Sequence, residues 1–165
     1  MKKENPKKTE YFRGIPARGY DEFKQIFPEY FRDGFVYGSR MICDNTEYIC
    51  INLERNTNNT YLKNGYITMV EVVPESIGRN TFILDKDGNP IYEGDIYERK
   101  HRELSFFPSH LTMAVVYDED RACFAFADID NPTNINFIKD YLTNQYQLKY
   151  IGDIHHNPEE LTEEE

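Results

Sequence analysis

A chain of 165 residues with 39% hydrophobic side chains is long enough to bury a core and short for two full domains. Its 29 acidic and 19 basic residues give a formal charge of −10, which disfavours a general phosphate-binding surface. Thirteen tyrosines and eleven phenylalanines, with no tryptophan, favour sheets over helices.

The charge is uneven. Residues 1–18 hold six basic side chains against two glutamates, so a local +4 leaves −14 for the rest, and five of the last seven residues are glutamate. Residues 1–9 read as a disordered basic arm and 159–165 as an acidic tail. Cys43, Cys50 and Cys123 form no CxxC pair and fit free thiols in a reducing compartment. No apolar run approaches a membrane span and no signal-peptide core is visible, so a soluble, cytoplasmic protein is expected.

In chain order, Tyr20 to Phe31 predicts a short helix interrupted by Pro28. Phe35–Cys43 and Thr46–Leu53 read as strands joined by a turn at Asp44-Asn45. The Asn-rich segment 54–64 reads as a loop, Gly65–Val73 as a returning strand closed by Pro74, and Gly78 as a further bend. Asp85-Lys86-Asp87-Gly88 predicts a tight hairpin, with both Asp87 and Gly88 at positive φ. The strand from Ile91 to Arg99 is bent at Gly94. Leu111–Tyr117 and Ala122–Ala127 form a hairpin around Asp118–Arg121. Asn134–Gln145 predicts a helix with Ile135, Ile138, Tyr141 and Leu142 on one face and Pro132-Thr133 at its start. Tyr146–Ile151 is the last strand. The fold class is mainly β, a barrel or β-roll with one or two short helices.

Chemistry is sparsely signalled. His155-His156 beside Asp153 invites a metal reading, but adjacent histidines on an extended chain point to opposite faces. Asp85-Lys86-Asp87-Gly88 starts like a calcium loop, yet its glycine comes early and no third carboxylate follows in register. Glu93 and Asp95 share a face if their strand is regular, which would suit acid–base work. The commoner role of Asp beside Gly is to cap a bend. Phe106, Phe107, Phe124, Phe126, Tyr92 and Tyr97 offer either a stacking platform for bases or a barrel core, and few basic residues lie near them. The reading assigns no catalytic residue, no metal ligand and no cofactor.

Three blocks resemble the YopX family, which is found in bacteriophages and prophages of Gram-positive hosts. The first pairs Phe12-Arg13-Gly14 with Gly34-Phe35-Val36-Tyr37-Gly38-Ser39. The second runs Val73-Pro74-Glu75-Ser76-Ile77-Gly78, then Asp85-Lys86-Asp87-Gly88 and Ile91-Tyr92-Glu93-Gly94-Asp95-Ile96. The third is Ile151-Gly152-Asp153-Ile154-His155-His156-Asn157-Pro158-Glu159. Phe82 stands where the family usually has glycine, and about 15–33 looks like an aromatic-rich insertion.

The resemblance implies a C-terminal SH3-like barrel with Gly94-Asp95-Ile96 at an early strand bend, and no known catalytic residues. The motif positions Gly78, Asp85, Gly88, Ile91, Tyr92, Glu93, Gly94, Asp95, Ile96, Gly152, Asn157 and Pro158 are taken as mainly structural. Residues 10–80 are expected to form an N-terminal β region and 81–158 the SH3-like region. The expected function is that of a non-enzymatic phage or prophage accessory protein. It would self-associate as a homo-oligomer or bind a host or phage protein. The alternative is a nucleic-acid-binding regulator that uses the basic arm and the aromatics.

Overall fold

The computed structural model describes residues 10–52, 67–100, 110–131, 133–138 and 147–161. The expected basic arm (1–9), the 54–64 loop, Phe106-Phe107 and most of the acidic tail lie outside them. The chain divides into two compact units, Met1–Asn80 and Thr81–Glu165. Each has its own hydrophobic cluster, so length alone understates the number of cores. Among the described residues the protein is mainly β, with one α-helix and short 3-10 turns, and no helix is long and apolar enough to cross a membrane.

In the first unit, β1 (Phe12–Gly14) is followed by α1 (Asp21–Ile26), a 3-10 turn at Pro28–Tyr30 and β2 (Phe31–Arg32). Pro28 ends the helix, as expected from its missing N–H. Asp33 and Gly34, both at positive φ, form a two-residue turn into β3 (Phe35–Cys43). A second such turn, Asp44-Asn45 at φ 49° and 61°, joins β3 to β4 (Thr46–Asn52). Strand β5 (Ile67–Glu71) pairs back on β4. Strand β1 lies between β3 and the start of β6 (Gly78–Leu84).

Alternation places Ile49, Ile51, Val70 and Val72 on one face, all at most 2% exposed. Val36 and Tyr30 complete the cluster, and Phe12, Tyr20, Phe27, Phe31 and Ile77 pack around it. Each buried aliphatic chain contributes about 1.5–3 kcal/mol. The Tyr20 hydroxyl accepts the Glu71 N–H at 3.0 Å, which ties the start of α1 to β5. Gly78 is a correction: the bend lies earlier, at the Pro74–Ser76 turn, and Gly78 opens a strand by pairing with Arg13.

In the second unit, β6 turns into β7 (Pro90–Tyr92), and a bend at Glu93-Gly94 leads to β8 (Asp95–Lys100). Strands β9 (His110–Asp118), β10 (Cys123–Asp128), β11 (Ile135–Phe137) and β12 (Gln147–Asp153) complete an antiparallel sheet of order β11-β10-β9-β8-β12. Among the described residues this sheet is open, with β11 and β12 at its edges, so the expectation of a barrel narrows to a bent sheet. Its core joins Ile91, Tyr97, Met113, Val115, Phe126, Ile138 and Leu148.

The predicted helix at 134–145 is overturned at its start. Ile135–Phe137 pairs with Ala125–Ala127 as a strand, and residues 139–146 lie outside the described set. The aromatics chiefly serve the core. Phe126, Tyr92 and Tyr97 are at most 3% exposed, and the Tyr97 ring meets Phe126 edge-on at 5.6 Å.

Candidate functional site

In the first unit the block residues find one another as strand partners. Arg13 pairs with Tyr37 on one side and Gly78 on the other, while Phe12 and Gly14 pair with Gly38 and Val36. The Arg13 side chain is 4% exposed, and its guanidinium lies over the Phe35 ring at 4.3 Å. Burial pushes the Tyr37 phenol up, against the nearby Arg13 and Arg32 charges. Arg32 lies 3.7 Å from the Tyr37 ring centre and is 3.2 Å from the Glu10 carboxylate.

Small residues in these blocks answer to close packing. A Cβ on Gly38 would overlap the Cys50 carbonyl. Ser76 is buried, with its hydroxyl accepting the Ile15 N–H at 2.8 Å and donating to the Val73 carbonyl at 2.6 Å. These are buried contacts that order the backbone.

In the second unit, Asp85 closes the hairpin. Its Oδ1 accepts the N–H groups of Asp87 and Asn89 at 2.9 and 2.8 Å. Gly88 has φ 80°, whereas Asp87 is not at positive φ, which corrects the predicted pair of positive-φ residues. Proper Asp-Gly geometry of that kind occurs at Asp33-Gly34 instead. The bend at Gly94 (φ 87°) is fixed from three directions. The Gly94 N–H donates to the Val115 carbonyl, its own carbonyl accepts the Ile154 N–H, and the Asp95 carboxylate accepts the Tyr92 N–H at 2.7 Å. Asp95 therefore caps the bend. Glu93 sits in the turn rather than on a regular strand, so the two carboxylates do not line one strand face as a general acid–base pair would.

The last block docks here. Gly152 and Asp153 pair with Ile96 and Asp95, with a register shift after Tyr150. Gly152 has φ 153°, and a Cβ there would overlap Asn157 Oδ1. Asn157 Oδ1 accepts the Asp153 N–H at 3.3 Å, and Pro158 opens the closing 3-10 turn. Asp153 Oδ1 accepts the backbone N–H groups of His155 and His156 at 3.0 and 3.1 Å, and its Oδ2 lies 2.9 Å from His156 Nδ1. The histidines thus lie in a turn, not on an extended chain. Among the described residues, no group of three or more His, Cys, Asp or Glu side chains is placed to hold a metal ion.

Sequence reasoning missed two further aspartates of the same kind. Asp118 Oδ1 accepts the N–H groups of Asp120 and Arg121, and Asp128 Oδ1 accepts that of Asp130. An Asp two residues before a turn's N–H donors is the signal that finds them.

The motif positions of two blocks therefore form a junction in which Ile91-Tyr92-Glu93-Gly94-Asp95-Ile96 and Ile151-Gly152-Asp153-Ile154-His155-His156-Asn157 interlock through the backbone. No curated protein matches the chain. The family described as YopX protein matches residues 32–162, a span that includes the second and third blocks and Gly34–Ser39 of the first. The chain belongs to the YopX family.

Proposed function

We propose that this protein is a non-enzymatic accessory factor of a phage or prophage, acting in the host cytoplasm by binding protein. Its partner is a second copy of itself or a host or phage protein. The observation that carries this reading is the outer face of the β3–β4–β5 sheet. Register sets Met41 beside Tyr48, Cys50 beside Met69 and Asn52 beside Ile67, on the face opposite the Ile49–Val70 core. Met41 and Met69 are each 37% exposed and Ile67 is 68% exposed, apolar side chains left in water along this face. Methionine-bearing faces adapt readily to a protein partner.

The motif residues support the same reading from the other side, because their described bonds cap bends and join strands. We read the five-stranded sheet as the family's SH3-like element, supported by its antiparallel order and the bend at Gly94. The nucleic-acid alternative has less support, since Tyr92, Tyr97 and Phe126 belong to the core.

Affinity capture from Gram-positive lysate, with and without nuclease, tests the proposal. A protein retained after nuclease treatment, and lost when Met41 and Met69 become serine, supports it. Recovery of nucleic acid alone overturns it in favour of the alternative.

A further inference from the structure

Left-handed residues shape turns in both units, Gly88, Gly94 and Ala122 among them in the second, but the second adds side-chain carboxylate caps. In the first unit, left-handed residues at Asp33, Gly34, Asp44 and Asn45 and the Ser76 hydroxyl shape the chain reversals. In the second, the carboxylates of Asp85, Asp118, Asp128 and Asp153 accept the backbone N–H groups that follow them. Asp118 and Asp153 are the buried members with a cationic or ionisable partner in the same turn: Arg121 at 2.5 Å and His156 at 2.9 Å.

At Asp118 the charged side chain in contact is that of Arg121, Asp120 contributes its backbone N–H, and Cys123 is the pairing partner across on β10. At Asp153 the ionisable side chain in contact is that of His156, His155 contributes its backbone N–H, Asp95 is the pairing partner across on β8, and Glu159 is reached through Asn157. The hydrogen bond from Arg121 holds the Asp118 carboxyl below its ordinary value. Burial pushes Asp153 up, but His156 and the two backbone donors outweigh it, and the carboxyl is held low. A carboxyl more acidic in the folded than in the unfolded chain stabilises the fold above the unfolded value, about 3.9 for Asp. That contribution is lost as pH falls through the folded value.

We propose that the second unit carries an acid-triggered release. Protonation of Asp118 and Asp153 frees the 118–121 and 153–157 turns and loosens the Gly94–Ile154 seam, while the first unit keeps its fold. The first unit's ion pairs, Arg40–Glu47, Arg32–Glu10, Arg18–Glu71 and Lys24–Asp21, link side chain to side chain, and none of these bonds caps a turn's backbone N–H.

An NMR titration of the full chain from pH 6.5 to 2.5 tests this. The amide signals of Asp120, Arg121, His155 and His156 should lose their folded positions at least about half a pH unit above those of Ile49 and Val70. Simultaneous loss in both units, or earlier loss in the first, overturns the proposal. In D118N/D153N each amide oxygen still accepts the turn's N–H groups but cannot titrate. That variant should flatten the early transition of the second unit, and an unchanged wild-type transition contradicts the proposal. Should it not fold, the wild-type titration alone still decides.

Discussion

The Ile154 N–H donates to the Gly94 carbonyl at 2.9 Å, which joins two motif blocks sixty residues apart in the chain. With Asp95 capping the preceding bend and Asn157 filling the space beside Gly152, this bond explains why glycine and aspartate recur in both blocks. In the second unit, the residues of these two blocks are those that build the bend and its seam.

Gly152→Ala tests the tightest of these positions. A methyl group would displace Asn157 Oδ1 and sit at a φ that L side chains rarely adopt. The loss should be about 2–3 kcal/mol, from strain plus a weakened cap. Urea unfolding followed by circular dichroism measures it, and a change below about 0.5 kcal/mol would show that the turn relaxes freely.

Asp95→Ala leaves the Tyr92 N–H without its acceptor in a buried site, at a cost of about 1–3 kcal/mol. Asp95→Asn keeps an acceptor oxygen and should cost less. Equal losses in the two variants would mean that the carboxylate's charge, rather than its acceptor, sustains the bend.

Phe82 adopts φ 60° and is 61% exposed. A left-handed conformation costs an L residue about 1–2 kcal/mol, more than the roughly 0.5–1 kcal/mol that glycine's extra chain entropy takes back. Phe82→Gly should therefore hold or raise stability by up to about 1 kcal/mol, whereas Phe82→Val should lower it. Thermal unfolding of the two variants side by side separates backbone strain from ring contacts.

The Arg40–Glu47 ion pair lies at the protein surface, so Arg40→Ala should cost under about 1 kcal/mol, less at high salt. Its hydrogen bond holds the Glu47 carboxyl below its ordinary value, so this small contribution is present at neutral pH and lost in acid. Denaturation at pH 7 and pH 3, in low and high salt, measures both effects.

The β3–β4 hairpin was legible because Asp44-Asn45 interrupts two alternating runs, and Gly94 because glycine before aspartate marks a bend. Ile135 and Ile138, three apart, fit a helix face equally well. Only pairing with Ala125–Ala127, a long-range choice that periodicity does not encode, makes 135–137 a strand. The Asp33-Gly34 turn was visible as a dipeptide but straddled the end of the 15–33 segment read as an insertion and the start of the Gly34–Ser39 block. The caps at Asp118 and Asp128 depend on local backbone direction, which composition does not reveal. The exposed face of Met41, Met69 and Ile67 emerged only once register showed which side of β3, β4 and β5 the core occupies.

Light scattering of the wild type against M41S/I67T/M69S, over a range of protein concentrations, tests the central claim most directly. Concentration-dependent association of the wild type, lost in the variant at an unchanged unfolding temperature, is the predicted result. A wild type that stays monomeric throughout, or a variant that associates as well as the wild type, would contradict a second copy as the partner of that face.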